Sequence, residues 1–72
     1  MNPFAEKRIK AGLLQEDAAA ALDVDRSTIA KWETGVAKPR AVKLPAIARL
    51  YGCTIGELLT ESDTDGNVEK AV

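Results

Sequence analysis

Residues 26–34, RSTIAKWET, carry two kinds of chemistry on one short segment. At helical spacing, Ile29, Trp32 and Glu33 fall on one side, and Arg26, Ser27, Ala30, Lys31 and Thr34 on the other. The second side joins two cations, hydroxyls and a methyl with no acid. Such a face suits a DNA major groove: Arg and Lys donate to guanine O6 and N7, hydroxyls act either way, and the Ala methyl meets a thymine methyl. Any surface helix also turns polar residues away from an apolar stripe, so this face alone does not separate DNA readout from ordinary solvation.

Other chemistries are poorly served. The chain has no His and one Cys, Cys53, which removes the commonest general base and nearly every transition-metal site. No nucleophile–base pair is apparent, so the reading is not an enzyme, with no metal and no cofactor. Cys53 reads as a small apolar residue that has no second Cys to pair with. No secretory signal or bilayer-length apolar run is visible, which points to a cytoplasmic protein without a membrane.

The net charge of −1 is unevenly spread. Lys38, Arg40, Lys43 and Arg49 lie in residues 35–51 without a single acid, whereas Glu57, Glu61, Asp63, Asp65 and Glu69 face only Lys70 in residues 52–72. Phosphate binding answers to the local field, so the acidic total does not exclude a polyanionic partner.

The elements that must position these groups are five short helices. Asn2-Pro3 opens the first, since Asn caps and Pro suits the first turn, and Gly12 stops it after about Ala11. The second starts near Leu14 or Gln15, with Glu16 and Asp17 in its first turn, and ends at Leu22. Asp23-Val24-Asp25 is a tight turn. Asp25 caps a third helix, Arg26 to Thr34, and Gly35 stops it. Pro45 fits only the first turn of a fourth helix, from Lys43 or Leu44 to Tyr51. Thr54-Ile55-Gly56-Glu57 has capping-box spacing and opens a fifth through Leu59. No segment alternates with period two, so the expected class is all-α. Seventy-two residues make one small domain, taken as 1–60, followed by an acidic, flexible tail at 61–72.

From Gly12 to Gly35 the chain reads GLLQEDAAAALDVDRSTIAKWETG. This stretch resembles the helix-turn-helix of the lambda-repressor/Cro-like family, also called the xenobiotic-response-element family. The likeness rests on Gly12-Leu13, Gln15, Ala19, Val24, Ser27-Thr28-Ile29, Lys31-Trp32-Glu33 and Gly35. It extends through Lys38-Pro39, Leu44-Pro45, Ile47-Ala48 and Ile55 to Leu59, about residues 4–60. The resemblance implies a compact five-helix fold in which the second and third helices form the helix-turn-helix. It implies double-stranded DNA as partner, with the third helix in the major groove and the second across the backbone. Arg26, Ser27, Ala30 and Lys31 then face base edges, and Gln15, Thr34, Lys38 and Arg40 face phosphates. Arg8 and Glu33 become an internal ion pair, and Trp32 a core anchor.

Three positions depart from the family's pattern. Leu14 stands where Ser or Thr is usual, Asp23 where the turn usually has Gly, and Val36 where a cation is common. Asp tolerates a left-handed backbone, so the turn survives, but phosphate binding is expected to be weaker or to lean on dimerisation. Ile55, Leu58 and Leu59 carry more apolar surface than so small a chain easily covers, and are divided between its core and the seam of a homodimer. The rival reading is a protein-interaction module with a protein partner, favoured by the acidic total and opposed by the acid-free face of the third helix.

Overall fold

The computed structural model describes residues 2–59; Met1 and residues 60–72, including the expected acidic tail, lie outside the described residues. Five α-helices and one 3₁₀ turn make up the described chain, which contains no strand: α1 Pro3–Lys10, α2 Gln15–Leu22, α3 Arg26–Thr34, the turn Ala41–Lys43, α4 Leu44–Tyr51 and α5 Ile55–Leu59. All five helices expected from the sequence are present within a residue or two. The 3₁₀ turn was not anticipated, because three residues carry no periodicity to read.

Each helix ends for a local reason. Asp23 takes the left-handed conformation (φ 58°, ψ 47°), and the Val24 and Asp23 amides return to the Ala19 and Ala20 carbonyls at 3.0 and 3.3 Å. That pair of bonds closes α2 and reverses the chain into α3. A non-Gly residue at positive φ carries a conformational cost, and Asp is among the residues that bear it best. At the other end of α2, the Leu14 amide donates to Asp17 Oδ2 at 2.9 Å. Leu14 has no side-chain acceptor, so only half of a capping box forms there. At α5 the box is complete: the Glu57 amide donates to Thr54 Oγ1 and the Thr54 amide to Glu57 Oε1, both at 3.0 Å.

The helices bury one side each. Phe4, Ala18, Ala19, Leu22, Ile29, Trp32, Ile47, Ala48, Tyr51 and Leu58 form a single core drawn from all five. Ala18 and Ala19 are what let α2 sit close against α3, since a larger side chain would hold the two axes apart. Phe4 and Trp32 meet with ring centroids 6.3 Å apart, tilted by 49°, and join α1 to α3.

Candidate nucleic-acid interface

The third helix is held from beneath by apolar burial and by polar contacts in its last turn. Ile29 and Trp32 point into the core. At its carboxyl end the Trp32 carbonyl accepts from Asn2 Nδ2 at 2.7 Å, which satisfies one of the acceptors a helix leaves open there. On its flank, Glu33 is gripped by Arg8: Nε to Oε2 at 2.6 Å and Nη2 to Oε1 at 3.1 Å. Arg8 Nη1 donates in addition to the Leu13 carbonyl at 2.8 Å. The two side chains are only 12% and 7% exposed, so this fork is an internal fastener rather than a surface pair. The hydrogen bond to Glu33 is the main reason the Arg8 guanidinium titrates above its ordinary value.

With its mount fixed, α3 presents Arg26, Ser27, Lys31 and Thr34 to solvent, with Ala30 half-buried between them. Among the described residues no ion pair engages Arg26 or Lys31, nor Lys38 and Arg40, which stand exposed on the loop after α3. All four cations are exposed to solvent. An open cleft lined by Arg8, Leu14, Gln15, Glu16 and Arg26 connects the start of α2 to the start of α3. The first amides of α2 lie at its edge and have no partner within the helix, which is what makes a helix start attractive to anions.

Several side chains sit differently from a simple list of contacts. The Gln15 amide donates to Glu33 Oε1 at 3.0 Å, so one of its two N–H groups is already engaged. Thr34 Oγ1 donates back to the Ala30 carbonyl at 3.1 Å, so its proton is committed inside α3 and a phosphate would meet an oxygen rather than a donor. Leu58 is 1% exposed and belongs to the core of the single chain, which removes it from any seam between copies. Packed against α1 and α4, this short helix turns Leu58 fully inward. Leu59 and Ile55, at 59% and 37% exposed, remain on the surface.

Two contacts had little signal in the sequence. Lys43 Nζ donates to the Leu22 carbonyl at 2.8 Å, so this cation caps the carboxyl end of α2 and is not part of the free basic set. Asn2 was legible as a helix cap, but its bond to Trp32 spans thirty positions, beyond the reach of local spacing. Cys53 is half-buried, and burial raises its thiol above the ordinary value, away from thiolate chemistry. No group of His, Cys, Asp and Glu suited to a metal occurs among the described residues, and none of their helices is long and apolar enough to cross a membrane.

Residues 4–58 match the helix-turn-helix family model. The chain is 31% identical over 64 residues to the cryptic phage CTXphi transcriptional repressor RstR of Vibrio cholerae, covering 89% of this chain and 58% of that protein. It is 42% identical over 48 residues to the HTH-type transcriptional activator BcrR of Enterococcus faecalis, covering 67% of this chain and 24% of that protein. The match thus spans little more than half of one relative and a quarter of the other. No solved structure matches the chain at a comparable level.

Proposed function

The chain belongs to the Cro/C1-type helix-turn-helix family, and on that premise we propose that it is a sequence-specific DNA-binding regulator of transcription, acting in the cytoplasm as a homodimer on a nearly palindromic operator. In this reading α3 lies in the major groove with Arg26, Ser27, Ala30 and Lys31 toward base edges, while Gln15, Lys38 and Arg40 hold the flanking phosphates. One helix reads only a few base pairs, which is why two copies are needed to select a site from a genome. One relative is named a repressor and the other an activator, so the shared element carries the DNA contact and not the regulatory sign.

The observation that carries this reading is the outward face of α3. That face carries no acid, no ion pair among the described residues engages its cations, and the helix beneath them is pinned by Trp32, Asn2 and the Arg8–Glu33 fork. A face built only for solvation needs no such fixed mount. Selection of bound duplexes from a random library at low salt tests it. Recovery of a consensus with two-fold symmetry is expected, with half-sites about 10–10.5 bp apart. Failure to enrich any sequence would overturn the reading.

A further inference from the structure

The Glu33 carboxylate accepts three hydrogen bonds, two from Arg8 and one from Gln15, and only the last leads outward. Arg8 cannot swing away, because its Nη1 is tied to the Leu13 carbonyl at 2.8 Å. The carboxylate is therefore locked in one rotamer, and it fixes the Gln15 amide in turn. A carboxylate accepts only, so the Gln15 oxygen cannot be the atom that faces it. The nitrogen end must lie inward, and among the described residues its second N–H has no partner at the cleft where α2 begins.

We propose that Glu33 is a positioning residue for DNA: it acts through Gln15, presenting the free Gln15 N–H to a backbone phosphate. This rests on the phosphate role given to Gln15 above and adds the residue that aims it. An acid behind a phosphate contact would ordinarily repel, but Arg8 neutralises Glu33 at 2.6 Å, so the pair contributes orientation without net charge. An unanchored glutamine would have to freeze its rotamers on binding, and the prior bond to Glu33 removes part of that cost.

The test is a cycle of DNA affinities on a non-specific duplex at low salt, with folding checked by circular dichroism under the same conditions. Gln15→Ala is expected to weaken binding about tenfold in the native chain, the size of one hydrogen bond to a charged group. In an Arg8→Met/Glu33→Leu background, which keeps net charge unchanged, the same substitution is expected to weaken it less than about twofold. An equal loss in both backgrounds would overturn the proposal while leaving DNA binding intact. A native chain that binds no duplex would overturn both this inference and the functional reading.

A second measurement needs no variant. Gln15 is the sole glutamine, so its side-chain amide pair is readily assigned by NMR. Saturating duplex is expected to move one of the two amide protons strongly, with the Asn2 side-chain pair serving as an internal reference. A Gln15 pair that does not move would overturn the proposal even if the apolar background fails to fold.

Discussion

Asn2 and Trp32 are joined by a bond of 2.7 Å in which one side chain serves two helices. Asn2 Oδ1 accepts from the Phe4 and Ala5 amides at 2.8 and 3.1 Å, capping α1, while Nδ2 donates to the Trp32 carbonyl near the end of α3. The start of one helix is thereby stitched to the end of the helix that would face DNA. The two jobs separate by substitution. Asn2→Ser keeps a capping oxygen and loses the tether, and should cost about 1 kcal/mol. Asn2→Ala loses both, and should cost about 2 kcal/mol in all. Chemical denaturation checks the pair; equal losses would mean that the tether contributes nothing.

The Arg8–Glu33 fork predicts a lopsided mutational response. Glu33→Ala strands a guanidinium in a nearly closed site and should destabilise by roughly 3–5 kcal/mol. Replacing both partners, Arg8→Met with Glu33→Leu, removes the charge that needs solvation and should cost much less. Denaturant midpoints of the three proteins decide. A double variant as unstable as Glu33→Ala would contradict the view that the penalty comes from the stranded charge.

Much of this domain was legible because its punctuation is local. Asn2-Pro3, Asp23, Gly35, Pro45 and the Thr54–Glu57 box each fix a helix boundary by chemistry that acts within a few residues, and the boundaries fell where those residues stand. The inward face of α3 was equally readable, since Ile29 and Trp32 lie one turn apart. Contacts that depend on how helices pack were not readable. Lys43 looks like any loop cation until α2 ends beside it, and Leu58 looks interchangeable with Leu59 until α5 docks. The Gln15–Glu33 bond joins the first residue of α2 to the penultimate residue of α3, so it exists only once the turn at Asp23 has folded them together.

For DNA, two groups of cations should fail differently. Lys38→Ala or Arg40→Ala should weaken binding to every sequence and reduce the salt dependence, by roughly one unit of logarithmic slope for each lost phosphate contact. Arg26→Ala or Lys31→Ala should instead relax preference at particular positions, costing about 1–3 kcal/mol against the best site. Competition binding across a salt series distinguishes them. Base preferences that survive loss of both Arg26 and Lys31 would place readout on another surface.

Tyr51 predicts a weakness at high pH. Its ring is in the core, and burial, with Glu33 nearby, pushes the phenol up to about 12. In the unfolded chain it would ionise near its ordinary value of about 10. A raised pKa favours the neutral form in the folded state, so this group's contribution is complete below about pH 10 and is lost as pH climbs toward 12. Tyr51→Phe should therefore flatten the fall in stability over that window. Denaturation midpoints measured between pH 9 and 12 give the comparison; identical curves for both proteins would mean that the alkaline loss has another source.

Assembly depends on which leucine of α5 is free. Leu58 and Leu59 are neighbours in sequence, yet the first is sealed in the core and the second faces solvent beside Ile55. Leu58→Asp would bury an unpaired carboxylate among apolar side chains, a penalty of several kcal/mol against a reserve of about 5–15, so it should unfold the chain whether or not a dimer exists. Leu59→Asp puts the same charge on the surface and should leave the monomer folded. If copies associate through this end, sedimentation of Leu59→Asp should show a monomer at concentrations where the native chain is dimeric. Its binding to a paired operator should then weaken steeply at low protein concentration, while binding to a single half-site stays unchanged. Inserting about five base pairs between half-sites should be equally damaging to the native chain, because half a helical turn carries one site to the far side of the duplex. Native sedimentation and operator binding retained by Leu59→Asp would move the seam away from α5, and indifference to spacing would remove the need for a dimer at all.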